Sequence, residues 1–379
     1  MHVLIIPSWY VSVYNPISGI FFKEQAEALV KYGHQVGLIA VQEIGIRNIV
    51  KEKKIVFPKE YELINGVHTY RKSLIDFKLK TLKQKLKLKL FKLVLERYIK
   101  ERGVPKIVHL HSYMAGNFVL YIKEKYKIPY VVTEHSSSFA RNLVSIGDKH
   151  NALKLFENSS ANIAVSEKLG KFLNEEFSQK FTFIPNIVDV DFFSGKEESN
   201  AEIFQFINIA FLDKNKNQDM LIRSFAHSFK KNGKLKLLIV GAGKEYSRLK
   251  DLIIKLDMDQ YVILHGKADR QTVKSLLQQS DAFVLSSQYE TFGVVLIEAM
   301  SCGLPVVSTK CGGPESIVTS PELGKLCEIT KESLSQKMLQ LYNEREIYDA
   351  DFIRDYAIKH FSESAVCQQL TKIYQQAIA

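Results

Sequence analysis

Residues 282–315 read AFVLSSQYETFGVVLIEAMSCGLPVVSTKCGGPE. Ala282–Leu285 is a short unbroken apolar run, as a strand covered on both faces requires. A polar turn follows. Gly293–Ser301 then reads as a helix, and Pro305–Ser308 as a second apolar run. Strand, helix and strand in that order make a parallel β–α–β unit.

The same alternation extends in both directions. Upstream, Phe206–Phe211, Leu235–Val240 and Tyr261–Leu264 read as strands. Asn217–Lys231, Tyr246–Leu256 and Gln271–Gln279 read as the helices between them. In the first half, His2–Ile6, Gln35–Ala40, Ile107–Leu110, Tyr130–Thr133, Asn162–Val165 and Phe181–Ile184 are strand candidates. Ile20–Tyr32 carries Phe22, Ala26, Leu29 and Val30 at helical spacing, with Gly33 as its stop. Gly195–Glu202 is polar and reads as a linker. The expected fold class is therefore α/β, with two facing Rossmann-like domains at 1–194 and 195–361. A last helix at 362–379 is expected to cross back to the first. Ligands of such sheets bind at the carboxyl ends of the strands, so the cleft between the domains is the expected site.

A chain of 379 residues, 46% hydrophobic and 25% charged, buries a core without staples. That excludes a disordered or fibrous chain. Cys302, Cys311, Cys327 and Cys367 have no paired spacing and read as free thiols, with no metal site expected. The first residues lack a basic region and a cleavage site, and read as a strand rather than a signal peptide. No stretch of 18 apolar residues occurs, so no membrane span is expected.

The net charge of +11 is concentrated. Arg71–Arg102 holds twelve Lys or Arg and three acidic residues, a local excess of +9. Ile75, Leu79, Leu82, Leu86, Leu90 and Leu93 recur at helical intervals, with lysines at 78, 80, 83, 85, 87, 89 and 92 around them. Two readings stand. In one, the leucine stripe packs on the first domain and the lysines are solvated. In the other, the segment docks on an anionic membrane surface, with Leu88, Phe91 and Leu95 dipping into it. Few aromatics and no recognised motif argue against nucleic acid as a partner.

In the opening stretch, Glu290 lies in the turn after a strand, and Gly293 permits close backbone approach at a helix start. Free amides at Phe292–Val295 suit a phosphate. Carboxylates aimed at a diphosphate would repel it, so Glu290 and Glu298 are better placed to accept from sugar or ribose hydroxyls. Taken alone, a Glu pair eight apart reads rather as leaving Glu298 a plain exposed helix residue.

Glu290-x7-Glu298, with Phe-Gly before the helix and A-x-x-x-G-x-P-V-V after it, resembles the signature of the family-four retaining glycosyltransferases, of GT-B fold. The resemblance spans nearly the whole chain. It includes G-I-F-F-K-E-Q-A-E-A-L from Gly19, H-L-H at 109–111, T-E-H at 133–135 and A-V-S-E-K at 164–168. I-P-N at 184–186, V-G-A-G at 240–243 and G-G-P-E at 312–315 continue it. It implies transfer of a sugar from a nucleotide-sugar donor to a hydroxyl, with retention and without a metal or other cofactor. Glu298 would bind the ribose, Glu290 the donor sugar, and the amides of Phe292, Gly293 and Val294 the diphosphate. Lys216 would neutralise the leaving diphosphate, where charge grows in the transition state. Gly241 belongs to the donor side by the same match.

One departure stands in the turn A-F-L-D-K-N-K-N at 210–217. Phe211 occupies the place of the family's arginine. Lys214 can supply a point charge there but not a bidentate fork. In the first domain, Gly19 either permits approach to a ligand or simply turns the chain into its helix. His135 is structural or, by the family match, binds the donor sugar, with Glu134 orienting a ring nitrogen. His109 and His111 are read as alternating along a strand end, so that one of them faces the ligand. Asn186 and Glu315 are read as structural. The expected protein is a glycosyltransferase peripheral to the cytoplasmic membrane face, acting on a lipid-linked or polysaccharide acceptor in bacterial surface glycan synthesis. The alternatives are a nucleotide-sugar-modifying enzyme such as an epimerase, and a non-catalytic sugar-nucleotide binder.

Overall fold

Two sheets organise the chain. The computed structural model describes residues 1–15, 18–46, 49–50, 55–195, 202–230 and 232–379. These divide into two compact units. The first holds Met1–Val165, Gly170–Ile187 and Val366–Ala379; the second holds Ser166–Leu169 and Val188–Ala365. The division therefore falls at Ile187–Val188, ahead of the expected linker, of which residues 196–201 lie outside the described residues.

The first unit runs β1 (His2–Pro7), α1 (Ile20–Lys31), β2 (Gln35–Ile44), β3 (Tyr61–Ile64), β4 (Val67–Ile75) and α2 (Lys80–Arg102). It continues with β5 (Ile107–His111), α3 (Gly116–Tyr126), β6 (Tyr130–Glu134), α4 (Ile146–Glu157), β7 (Ala161–Ala164), α5 (Glu167–Phe177) and β8 (Phe181–Phe183). Its strand order is β3-β4-β2-β1-β5-β6-β7-β8. All neighbours are parallel except β3 and β4, which form a hairpin. The hairpin turns on Asn65 and Gly66, both with positive φ, as a two-residue turn demands. All five residues of β5 and of β6 are buried, because helices cover both faces of a parallel sheet.

The second unit runs β9 (Phe204–Ile209), α6 (Gln218–Phe229), β10 (Leu235–Val240), α7 (Tyr246–Lys255), β11 (Val262–Gly266), α8 (Arg270–Gln278) and β12 (Ala282–Leu285). It closes with α9 (Val294–Ser301), β13 (Val306–Thr309), β14 (Gly324–Cys327), α10 (Lys331–Asn343) and α11 (Ala350–Phe361). Its order, β11-β10-β9-β12-β13-β14, is parallel throughout. Phe206, Leu237 and Val284 from the sheet pack with Leu221 and Phe225 of α6 to form its core. The four cysteines are free and buried.

The last helix, α12 (Glu363–Ile378), places Val366, Cys367, Leu370 and Tyr374 in the first unit's core, beside Val3, Ile5 and Leu29. Tyr374 also shares a 2.7 Å hydrogen bond with Nδ1 of His109. Thr371 Oγ1 shares a second, at 2.8 Å, with Nε2 of His34, so apolar burial and polar contacts together tie the chain's last segment to the first unit.

The basic segment departs from its sequence reading. Ile75 ends β4, and the helix begins only at Lys80. The face of α2 that packs on the first unit is Phe91, Val94, Leu95 and Tyr98. Phe91 stacks on Phe118 at 4.3 Å, and Tyr98 lies so close to Gly37 that a Cβ there would meet its hydroxyl. Phe91 and Leu95 are therefore core residues, not membrane contacts. The leucine stripe is the part left outside: Leu79, Leu82, Leu86 and Leu93 are exposed. A stripe read from spacing alone has two possible directions. The bulkier aromatic face won the core, because it buries more area.

Candidate functional site

In the second unit, two loops at the carboxyl ends of β9 and β12 are laced together. Asn215 Nδ2 donates to the Tyr289 carbonyl at 3.0 Å, and the Gln288 amide donates to the Asn215 carbonyl at 2.7 Å. Ser286 Oγ donates to the Lys216 carbonyl at 2.8 Å. Asp213 Oδ1 accepts from the Lys216 amide at 3.0 Å. Asn217, at φ +55°, then turns the chain into α6. This lacing points Lys216 at Glu290: Nζ lies 2.6 Å from Oε1. Ser287 Oγ donates to the same oxygen at 2.6 Å. The carboxylate is thus held by a cation and a hydroxyl while remaining partly open to solvent.

The backbone of Glu290 is equally constrained. Its amide donates to the Cys311 carbonyl at 3.0 Å, and its carbonyl accepts from the Gly313 amide at 2.9 Å. Gly312 has φ +126°, and a Cβ there would stand 2.5 Å from the Glu290 carbonyl oxygen. A Cβ on Gly313 would stand 2.2 Å from Cα of Phe292. The Gly-Gly pair is therefore what lets the 290–292 turn lie against this loop. Glu315 serves the same contact, accepting the Gly312 amide at 2.9 Å.

Three residues after Glu290, Gly293 at φ +101° opens α9. Phe292 is buried with its ring edge-on to Phe361. Its side chain is therefore a core group rather than a ligand contact. The first amides of α9 are those a helix leaves without internal partners. Glu298 lies on the same helix, and burial pushes its carboxyl up to about 7 despite the opposing charge of Arg270. Arg270 opens α8 with its guanidinium over the rings of Phe192 and Phe193, at 4.9 and 5.3 Å. Burial lowers its own pKa, and Glu298 and Glu363 resist that shift. Sequence reading missed Arg270, because only the fold brings its charge within reach of Glu298.

Lys214 and Phe211 are both exposed; the Phe211 carbonyl is taken by Gln218 Nε2 at 3.0 Å. Gly241 serves the unit's own backbone: a Cβ there would stand 1.9 Å from the Ala210 carbonyl oxygen.

Gly19 and His135 belong to the first unit. Gly19, at φ +72°, caps α1, and a Cβ there would stand 2.8 Å from the Trp9 carbonyl oxygen. His135 follows β6, with Nε2 3.0 Å from Nδ1 of His111. Its other nitrogen, Nδ1, is buried without a partner among the described residues, as is Nε2 of His111. Burial lowers His135 to about 3, so the ring is neutral near pH 7.

Two expectations fail here. Glu134 does not orient His135's ring. Its carboxylate turns back to accept the amides of His135 and Ser136 at 3.0 and 2.7 Å, the Tyr113 amide at 3.0 Å and the Ser112 hydroxyl at 2.8 Å. Burial raises its pKa, and those four donors pull it back. Nor do His109 and His111 alternate. Residues two apart share one face of a strand, and their rings lie 4.2 Å apart. His109 bonds Tyr374 and Thr133, at 2.7 Å each, whereas His111 meets His135.

Residues 18–192 match the family model described as Glycosyltransferase Family 4, and residues 189–359 match the model for Glycosyl transferases group 1. The chain is 32% identical over 146 residues to the N-acetyl-alpha-D-glucosaminyl L-malate synthase of Bacillus anthracis, an overlap spanning 38% of each. It is 26% identical over 337 residues to a Bacillus subtilis glycosyltransferase named for teichuronic acid biosynthesis, TuaC, covering 84% of this chain and 83% of that one. Among solved structures it is similar to the sucrose-phosphate synthase of Thermosynechococcus elongatus, with a TM-score of 0.80, 18% identity and 99% of both chains covered. It is also similar to HepE of Anabaena in complex with UDP, with a TM-score of 0.75, 18% identity, and 99% of this chain and 100% of that one covered.

Proposed function

The chain belongs to the glycosyl transferases group 1 family, with the GT-B fold, and we propose that it moves a sugar from a nucleotide-sugar donor to an acceptor hydroxyl with retention of anomeric configuration. The observation that carries this reading is the 2.6 Å contact of Lys216 with Glu290 beside the opening turn of α9. Without ligand, each charge neutralises the other. A donor diphosphate lying against the amides of Phe292, Gly293 and Val294 offers Lys216 a second anion. Glu290 is then released to accept hydrogen bonds from the donor sugar. Lys216 thereby stabilises the charge that grows on the leaving diphosphate, in the role a metal plays elsewhere. Glu298 and His135 are assigned to ribose and donor-sugar hydroxyls. Lys214, beside the diphosphate, adds charge where Phe211 replaces an arginine. Gly19 and Gly241 are assigned to the donor as positions of close backbone approach. HepE, solved with UDP and with UDP-glucose, supports a nucleotide-sugar donor.

The acceptor is proposed to be a lipid-linked or polysaccharide glycan at the inner face of a bacterial plasma membrane. The name of TuaC supports surface-glycan synthesis. The outward face of α2 supports the location. Leu82, Leu86 and Leu93 share that face, and Lys85 and Lys89 stand beside them with no carboxylate partner among the described residues. Apolar insertion and attraction to anionic headgroups would act together there. No helix among the described residues is long and apolar enough to cross a membrane.

Thermal shifts with a panel of UDP- and GDP-linked sugars test the donor, since a bound donor raises the melting point. Product anomers, read by NMR, test retention. Conversion of donor in the absence of acceptor would point to an epimerase instead. Co-sedimentation with phosphatidylglycerol vesicles tests docking. Binding should fall with salt, and fall again in Leu82→Ser/Leu86→Ser/Leu93→Ser and in Lys85→Gln/Lys89→Gln. Lys83 and Lys87 are poor test sites because they hold Glu43 at 2.9 and 3.0 Å.

A further inference from the structure

Two consecutive serines follow β12, and each holds one half of the Lys216–Glu290 pair. Ser286 Oγ donates to the Lys216 carbonyl at 2.8 Å. Ser287 Oγ donates to Oε1 of Glu290 at 2.6 Å, the same oxygen that Lys216 Nζ contacts at 2.6 Å. Both donors therefore crowd one carboxylate oxygen and leave the other. Oε2 has no partner among the described residues and is not buried. Ser287 itself is firmly placed. It is 1% exposed, and its carbonyl accepts from Thr309 Oγ1 at 2.7 Å. Thr309 is buried at the end of β13, where it pairs with Cys327 of β14. The hydroxyl is thus fixed to the sheet, whereas Lys216 arrives from the loop after β9.

This difference in anchoring gives the two donors different tasks. A lysine ends in an ammonium on a flexible four-carbon stem, and it can exchange a carboxylate for a diphosphate. Once it has done so, Oε1 keeps a single donor, Ser287. A hydroxyl has one proton to give, and this one is committed to Glu290. A carboxylate held through one oxygen presents the other in one direction, whereas a carboxylate held by neither samples several rotamers. We propose that Ser287 is a positioning residue for Glu290, an assignment that rests on the transferase reading. It holds Oε1 while Lys216 serves the diphosphate, so that Oε2 is kept for the hydroxyls of the donor sugar.

Affinity is the readout, because it separates the sugar's contribution from that of the diphosphate. UDP, GDP, UDP-glucose, UDP-N-acetylglucosamine and GDP-mannose are titrated by calorimetry into the full chain and its variants, with melting points to confirm that each is folded. Ser287→Ala should weaken the sugar nucleotide that binds by about fivefold or more, and leave its free nucleoside diphosphate within about twofold. Ser287→Thr keeps the hydroxyl and should recover most of that loss. In a Glu290→Ala background, Ser287→Ala should move neither affinity by more than about twofold, since the carboxylate it serves is gone. Unchanged binding in Ser287→Ala, or equal weakening of the sugar nucleotide and its diphosphate, would overturn the assignment. So would an equal loss in both backgrounds, because a serine that only supports the fold acts whatever stands at 290. Turnover of a nucleotide sugar alongside any of these results would leave the transferase reading standing. A chain that binds none of these ligands would sink that reading and the assignment with it.

Discussion

Lys216 Nζ and Glu290 Oε1 lie 2.6 Å apart although 74 residues separate them in sequence. The loops that carry them are cross-linked by backbone and side-chain hydrogen bonds, so the pair is pre-positioned rather than assembled by a ligand. Replacing Lys216 by Met or Glu290 by Gln should each lower kcat by on the order of 10²–10³. Stability should fall by only about 1 kcal/mol, because the pair is partly solvated. The double variant should be little worse than the poorer single one, because the two act as a unit. Steady-state kinetics with the donor found by thermal shift measures all three. Fully additive losses would separate the roles of the two residues.

Glu298 should make stability fall as pH rises. Its carboxyl sits near 7 in the fold against an ordinary 4.5. Between those values the native chain holds a proton that the unfolded chain has released. Stability therefore drops across that window, and the penalty is complete above pH 7. Glu298→Gln removes the titration. It should gain about 1–3 kcal/mol at pH 8 and almost nothing at pH 4, by urea unfolding. The same gain at both pH values would show that Glu298 is not desolvated.

Gly312→Ala should be among the costliest single-methyl additions in the second unit. The new Cβ meets the Glu290 carbonyl at 2.5 Å, and φ is +126°. Neither backbone can yield without moving the turn that carries Glu290. A loss of about 2–4 kcal/mol is expected, together with lower turnover. Gly233→Ala, with open space at its Cβ, is the control and should be nearly silent.

Tyr374→Phe tests the link between the last helix and the first unit. It deletes the partner of a fully buried His109 nitrogen while keeping the ring. A cost of about 1–3 kcal/mol is expected from denaturant unfolding. In a His109→Phe background the same change should cost much less, since the orphaned nitrogen is gone. Equal costs in both backgrounds would show that the hydrogen bond contributes nothing.

Most of the parallel strands could be read from their sequence, because a strand buried on both faces must be apolar along its length. The β3–β4 hairpin was missed, although Asn65-Gly66 between two strand-forming runs was its signal. The influence of Arg270 on Glu298 was not legible, since nothing local marks which charges the fold will bring near one another. The motif around Glu290 and Gly293 was legible because a strand, a turn and a helix start are local features. Its electrostatics were not legible: the pairing with Lys216 comes from another loop, and the raised carboxyl of Glu298 comes from burial.

The sequence by itself determined two β–α alternations, the concentration of charge in one segment, and the identity of the turn that opens α9. Periodicity, composition and backbone-permissive glycines are properties of neighbours along the chain, so they survive without coordinates. Only the tertiary structure decided which face of α2 is buried, which histidines meet, and which polar atoms are left without partners. Those depend on what packs across distances in sequence. Two apolar faces compete for one core, and the winner is the one whose shape and area the neighbouring elements can cover.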